Sequence, residues 1–293
     1  MPEFTKIIGT GGIGAGVVYA LEGNHDLGRN ESRMAALRDP RDFCKLHIIL
    51  HYVSVLLRDL KSRVDIVPVG AVGADARGRE LLALMKQAGL RTHRVKARAD
   101  ARTLFSLCFV FPDGSGGNIT ESHSACACVT PAVIREAAAE LRGHEGRCMV
   151  LSAPEVPLAS RVALLRLARK HRAFTVASFA SAEMEEVRRR RLVRLVDLLA
   201  VNIDEAAMLG RVSRRAKAET IAAACAAQVR RLNPGIRLLI TNGGRGLYAC
   251  EKGIVEFLPA LQVPVRGTAG AGDAALAGLM VGTVLGLPFL GRS

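Results

Sequence analysis

At 293 residues, 49% of them hydrophobic, the chain can bury one sizeable core and is not a disordered polymer. Its formal charge of +14 attracts polyanions in principle, yet Arg is spread along the chain; the one dense run, Arg188–Arg191, falls on a predicted helix as a solvated face. With no Trp and 4% aromatic residues there is no stacking platform for single strands, so a nucleic-acid partner is not expected.

Lys6–Ile8 reads as a first strand running into Gly9-Thr10-Gly11-Gly12-Ile13-Gly14-Ala15-Gly16. That stretch contains Gly-x-Gly-x-x-Gly after a strand, the fingerprint of a dinucleotide turn. Val17–Leu21, however, is β-branched and aromatic, which favours another strand over a helix, and no acidic residue follows at the required distance. Residues 22–42 are polar and turn-rich, a loop able to greet a polar ligand. Apolar residues at helical spacing (Leu46, Ile49, Leu50, Val53, Leu56, Leu57) predict a helix over Asp42–Leu60 with Asp42 near its cap. His47 and His51 stand one turn apart on it; with no third ligand evident nearby, they read as packing or surface groups.

Val64–Val69 is the next strand, Gly70–Gly78 a turn, and Arg79–Ala88 a helix closed by Gly89. Arg102–Phe111 is a strand that the Pro112–Gly117 turn leads into a partner starting at Asn118–Thr120. Helices at 131–142, 158–171, 183–194, 204–210 and about 215–231 then alternate with strands at 147–152, 173–178, 196–201 and 236–241. A hairpin-like pair near 246–258 follows. Such alternation implies an α/β fold, a doubly wound, largely parallel sheet with helices on both faces. The β-rich pieces at about 12–38 and 98–122 break the rhythm and are predicted to form a small β lid on a single domain spanning 1–293. A homodimer would form through that lid.

The seven cysteines show no framework spacing; Cys126-x-Cys128 fits neither a zinc knuckle nor a redox pair, so free thiols in a reducing cytoplasm are expected. No basic-then-apolar signal opens the chain. The uncharged run Ala274–Gly291 carries glycines and Pro288 and abuts Asp273, so a buried helix is predicted there and not a membrane span.

Chemistry concentrates in Gly267-Thr268-Ala269-Gly270-Ala271-Gly272-Asp273, which offers almost no side chain. A glycine-rich turn entering a helix aims several N–H groups at one point, where an anion can sit. Asp273 reads either as the N-cap of that helix or as a base beside an anion nest, positioned to deprotonate a hydroxyl that attacks a phosphoryl group. In a doubly wound sheet ligands bind where strands end, and two more ends stand out. After the 196–201 strand, Asn202 caps a helix that begins near Ile203 or Asp204. After the 236–241 strand comes Thr241-Asn242-Gly243-Gly244-Arg245-Gly246, whose glycines admit a close ligand and whose Thr hydroxyl can donate to a phosphate; otherwise it is only a turn.

Thr268, Gly270, Ala271, Gly272 and Asp273 resemble the Thr-x-Gly-Ala-Gly-Asp motif of the ribokinase/PfkB-like carbohydrate kinases. Asn202 and Glu205 resemble the family's Asn-x-x-Glu, and Thr241, Gly243 and Gly246 its Thr-x-Gly-x-x-Gly. Gly70, Gly73, Asp75 and Gly78 resemble its mainly architectural Gly-x-x-Gly-x-Asp-x-x-Gly, so the likeness covers roughly residues 60–285 in family order. The resemblance implies a ribokinase-like fold and an ATP-dependent phosphotransferase acting on a hydroxyl of a sugar, nucleoside or related polyol. Asp273 would be its general base, with Gly270, Ala271 and Gly272 as the anion hole. Thr241, Gly243, Gly246 and Thr268 would contact the nucleotide, and Asn202 and Glu205 would help hold Mg²⁺ and its waters. Some relatives also need a monovalent cation.

The N-terminal third departs from the pattern. Family members usually place an Asp a few residues past the first strand to hold sugar hydroxyls, where Gly14 falls here. Their Gly-Gly-x-x-x-Asn loop has no counterpart before Asp42 unless Gly28-Arg29-Asn30 is its remnant. Gly12, Asn24 and Asn30 remain as candidate substrate contacts. Ala274 and Ala275 follow the Asp where Phe is usual, and the chain stops soon after Pro288. An ordinary ribokinase or fructokinase substrate is therefore not expected. The alternatives are a catalytically impaired nucleotide- or sugar-binding member of the fold and an NAD-dependent oxidoreductase built on Gly9–Gly14.

Overall fold

The computed structural model describes residues 4–263 and 270–290. Its strands in chain order are β1 (Lys6–Thr10), β2 (Gly14–Leu21), β3 (Ala35–Phe43), β4 (Asp65–Gly73), β5 (Val95–Arg98), β6 (Leu104–Val110), β7 (Gly116–Thr120), β8 (Cys148–Ser152), β9 (Phe174–Ser178), β10 (Leu198–Asn202), β11 (Arg237–Thr241), β12 (Gly246–Glu251) and β13 (Ile254–Pro259). The helices are α1 (Lys45–Asp59), α2 (Ala76–Gln87), α3 (Pro131–Glu136), α4 (Leu158–Lys170), α5 (Met184–Arg189), α6 (Ile203–Gly210), α7 (Ala218–Leu232) and α8 (Ala271–Val284).

Nine strands form the main sheet in the order β13-β12-β11-β10-β9-β8-β1-β4-β5, parallel except at β12 and β13. Its two-sided burial is written in neighbouring residues. Side chains alternate across a strand, so Ile7 and Ile8 point to opposite faces, and both are fully buried in different apolar clusters. Leu238 and Leu239 divide between two clusters in the same way. On one face lie α1, α2 and α8; α3 to α7 cover the other. Helix α1 turns Leu46, Ile49, Leu50, Val53 and Leu57 inward, each at most 2% exposed, and each such burial contributes about 1.5–3 kcal/mol.

The chain winds outward from β1 in two directions, through β4 to β5 and through β8 to β13. Strand order therefore reverses between β1 and β8. In doubly wound sheets the ligand crevice lies beyond the carboxyl ends of the strands at such a reversal. A second sheet of order β3-β2-β6-β7 stands apart from the first, with β2 and β6 parallel and the outer pairs antiparallel.

Several local expectations need correcting. Residues 35–42 of the expected loop, together with Phe43 from the expected helix, form β3, an edge strand whose residues are mostly exposed and so carry no apolar alternation to read. Asp42 consequently ends a strand, and Cys44 takes the cap position of α1. Strand β4 continues to Gly73, and α2 begins earlier than expected behind Asp75, whose carboxylate accepts from the Gly78 amide at 2.8 Å. Strand β5 escaped the sequence reading. The expected helix at 183–194 breaks at Arg191, which adopts a left-handed φ of 53°, and the one at 131–142 tightens into a 3₁₀ turn after Glu136. Helix α8 begins at Ala271, so Asp273 sits inside its first turn and is not its cap.

Candidate active site

Much of the crevice wall grows from strand ends. Parallel register sets Thr10 of β1 beside Ser152 of β8, and Asn202 of β10 beside Thr241 of β11. The Gly12 amide then donates to the Pro154 carbonyl at 2.8 Å, tying the β1 loop to the β8 loop. Between these loops, the second sheet and the start of α8 lies a cleft of about 990 Å³. Asp42, Lys45, Ser106, Cys108, Glu121, Glu155, Ser181, Asn202, Glu205, Gly270 and Asp273 all line it.

Asp273 is the centre of the arrangement. Gly270 turns the chain at a φ of 75°, a left-handed conformation that side chains disfavour, and α8 starts at once. Among the described residues no side chain caps this helix. The Ala274 amide bonds back to the Gly270 carbonyl at 2.8 Å, so the amides of the preceding turn have no intrahelical acceptor. Their donors and the helix dipole suit an anion. The Asp273 side chain is 16% exposed, and burial pushes its carboxyl above the ordinary range. Opposing this, the Lys45 ammonium approaches Asp273 Oδ2 at 3.4 Å.

Lys45 opens α1, the helix packed alongside α8 in the same apolar cluster. Burial works to lower its ammonium, but Asp273 and then Glu155 overcome it and hold the group above its usual value. Its backbone amide donates to Glu155 Oε2 at 2.9 Å. Glu155 itself adopts a left-handed φ of 75°, which for a non-glycine costs about 1–3 kcal/mol. Burial raises its carboxyl, and Asp273 and Asp42 add to the rise. Gly12 is glycine for this reason: a Cβ there would collide with the Glu155 carboxylate. Asp42, from the second sheet, accepts from the Phe43 amide at 3.0 Å and from the Cys108 thiol at 3.3 Å.

Asn202 and Glu205 form a reciprocal capping box on α6. The Asn202 side chain accepts from the Glu205 amide, and Glu205 Oε2 from the Asn202 amide, both at 2.9 Å. The other Glu205 oxygen accepts from the Ser181 hydroxyl at 3.0 Å, and burial raises this carboxyl too. The chain on either side of Ser181 is braced by the wholly buried Arg161, which donates to Glu183 and to the Ser178 carbonyl. A carboxylate offers about four acceptor sites, so Glu205 keeps lone pairs for further donors. Among the described residues no three His, Cys, Asp or Glu converge on one point. This donor set fits Mg²⁺, which keeps several waters and leans on one carboxylate plus substrate phosphates, better than metals that require a full protein cage.

Thr241 sits against the start of α8: a Cβ on Gly272 would lie 3.9 Å from its hydroxyl oxygen. Gly243 and Gly246 follow with φ of 55° and 126°, and a Cβ at Gly246 would run into the Leu258 carbonyl. The structure thus brings Asp273, Gly270, Asn202 and Glu205 to the cleft wall, while Ala271 and Gly272, exposed at the start of α8, and Thr241 do not line it. Thr268 lies outside the described residues. Asn24 and Asn30 lie on the exposed loop between β2 and β3, Asn24 accepting from the Asp113 amide at 3.1 Å. Gly12 is buried beneath Glu155. Gly14 is enclosed, where a Cβ would strike Leu104 and Cys44, and its carbonyl accepts from the Cys44 amide at 3.1 Å. After Gly9–Gly14 the chain enters β2 and no helix follows, so the stretch lacks the helix start a dinucleotide turn requires.

Sequence reasoning missed Asp42, Lys45, Glu155 and Ser181. Glu155 was within its reach, because it follows the predicted strand 147–152 and strand ends are where ligands bind. Nothing local marks Lys45, whose partner is 228 residues away.

A doubly wound sheet with its cleft at the switch point, an open helix start and a carboxylate inside that helix's first turn defines the class of ribokinase-like α/β proteins. The chain belongs to the pfkB family of carbohydrate kinases, whose family model matches residues 53–290. Among solved structures it resembles the ribokinase from Giardia lamblia at 17% identity and a TM-score of 0.79, over 94% of this chain and 83% of that one. The ribokinase from Cryptococcus neoformans var. grubii serotype A in complex with ADP matches at 20% identity and 0.77, over 97% and 89%. The nucleoside kinase of Burkholderia thailandensis in complex with inosine matches at 19% and 0.73, over 96% and 85%. No helix among the described residues is long and apolar enough to cross a membrane.

Proposed function

We propose that the chain is an ATP-dependent kinase that phosphorylates a hydroxyl of a sugar, nucleoside or related polyol. The observation that carries this reading is the pair made by Asp273 and Lys45, a largely buried carboxylate 3.4 Å from an ammonium in the first turn of a helix that no side chain among the described residues caps. Family membership, and the ADP and inosine in two of the structural neighbours, support the nucleotide and the acceptor class.

In this reading the acceptor hydroxyl lies against Asp273. Its oxygen forms the new bond to the γ-phosphorus, the bond to the bridging oxygen of the nucleotide breaks, and the hydroxyl proton passes to the Asp273 carboxylate. The backbone amides of Gly270, Ala271 and Gly272 stabilise charge on the transferring group, which asks the protein for positioning and electrostatics and little covalent chemistry. Lys45 keeps the base ionised and adds positive charge at the phosphoryl end. Thr241, Gly243, Gly246 and Thr268 serve the nucleotide. Mg²⁺, when bound, neutralises the triphosphate, and Glu205 with Asn202 would hold its waters. The second sheet covers the acceptor side as a lid.

The test is Asp273→Asn. The variant should keep the wild-type melting temperature and nucleotide binding while ADP release falls by about 10²–10⁴. Undiminished turnover would remove Asp273 from the role.

A further inference from the structure

The cleft contradicts the charge of the molecule that holds it. The chain carries 41 Lys and Arg against 27 Asp and Glu. Yet the acidic and basic residues lining the cleft are Asp42, Glu121, Glu155, Glu205 and Asp273 against Lys45, and no Arg among the described residues reaches its wall. That one ammonium is already committed to Asp273 at the phosphoryl end. Glu205 is engaged by its capping box and Ser181. On the acceptor side Asp42 receives an amide and a thiol, and Glu155 a single amide; neither forms an ion pair among the described residues.

Resting on the kinase reading above, we propose that the acceptor is a hydroxylated molecule bearing an ammonium group, such as an amino sugar or aminocyclitol, received by Asp42 and Glu155. A neutral polyol could donate to both carboxylates but would leave their mutual repulsion in place. That repulsion acts in one direction throughout: Asp273 and then Asp42 raise Glu155, and Asp42 raises Asp273 as well. An ammonium brings three donors and the missing positive charge in one group. A substrate phosphate or carboxylate would meet these two acids with no cation among the described residues left to receive it, because Lys45 is paired with Asp273. The departures in the N-terminal third fit this reading. The family's usual acid is replaced by Gly14, where no side chain has room, and the cleft's carboxylates enter instead from β3 and the loop after β8.

The experiment compares 2-amino-2-deoxyglucose with glucose and glucose 6-phosphate, and an aminocyclitol with inositol, at neutral pH. Calorimetric binding and ADP release with Mg·ATP are measured side by side. The amino compounds should bind about ten- to a hundredfold tighter than their hydroxyl counterparts and show a similar advantage in kcat/KM, the range expected of a charged hydrogen bond. The phosphorylated sugar should be the poorest of its set. In Asp42→Asn the ratio of amino to hydroxyl compound should fall toward one, whatever happens to absolute rates. Equal or better binding of the neutral or phosphorylated compounds overturns the proposal while leaving the kinase reading standing, provided they are turned over. Preferred binding of amino compounds without any ADP release supports this assignment and counts against the kinase reading. Failure of every compound to bind overturns it.

Discussion

Replacing Lys45 with Met keeps an unbranched stem and removes the one cation that pairs with Asp273 among the described residues. At the 3.4 Å separation a full charge pair is worth about 5 kcal/mol at an effective dielectric of ~20 and about 1 kcal/mol in water. Two-fifths of the Lys45 side chain is exposed (41%), so the water-like end of that range applies, about 1–2 kcal/mol or roughly one pKa unit. The direction follows from the surroundings of the base. Burial already raises Asp273 and Lys45 opposes it, so losing the ammonium raises the carboxyl further. A base acts only when ionised, so the acid limb of the kcat/KM profile should move to higher pH by about one unit. Asp42→Asn removes a like charge and should move the limb the other way. The measurement is ADP release across the pH range for wild type, Lys45→Met, Lys45→Arg and Asp42→Asn, with Lys45→Arg restoring most of the shift. An acid limb that stays in place in Lys45→Met, or moves downward, would refute the claim that this ammonium holds the base ionised.

Other outcomes test the frame around the site. His47 is fully buried beside Phe43 and His51, neither ring nitrogen has a partner, and burial lowers it to about 3. Below about pH 6.5 the unfolded chain takes up a proton that the folded one refuses, so stability should fall by roughly 2 kcal/mol on going to about pH 5. His47→Leu should flatten that dependence in urea titrations; an unchanged slope would mean the ring finds a partner. Gly246→Ala, with its left-handed φ and the Leu258 carbonyl in the way, should cost about 2–3 kcal/mol. Gly244→Ala, with nothing within 4 Å of the added carbon, should be near neutral, and equal melting temperatures for the pair would contradict the geometry. Glu205→Gln can still complete the capping box, so its melting temperature should hardly move, while the Mg²⁺ needed for half-maximal activity rises about 10- to 100-fold. An unaltered Mg²⁺ requirement would detach Glu205 from the metal.

Much of this protein was legible before folding because the governing physics is local. Alternation of buried strands and amphipathic helices specifies a doubly wound sheet; Asn202 and Glu205 are three residues apart on one helix start, and the capping box they form is a property of that spacing. The glycines at 243, 246 and 270 sit where positive φ is required, and that too is a matter of a few consecutive residues. The edge strand β3 stayed hidden because its central residues, Ala36 to Arg41, are exposed on both sides and show no alternation of apolar and polar types.

The acceptor side of the cleft depends instead on separations that no local rule spans. Lys45 meets Asp273 across 228 residues and Glu155 across 110. Their meeting is decided by the strand order on either side of β1, which sets the β8 loop against the β1 loop and lays α1 alongside α8. Residue types and spacings alone could announce a glycine-rich helix start suited to an anion. Only the packed sheet could show that the space in front of it is lined by carboxylates, because charge in a cleft is a sum over side chains that share a position in space and not in the chain.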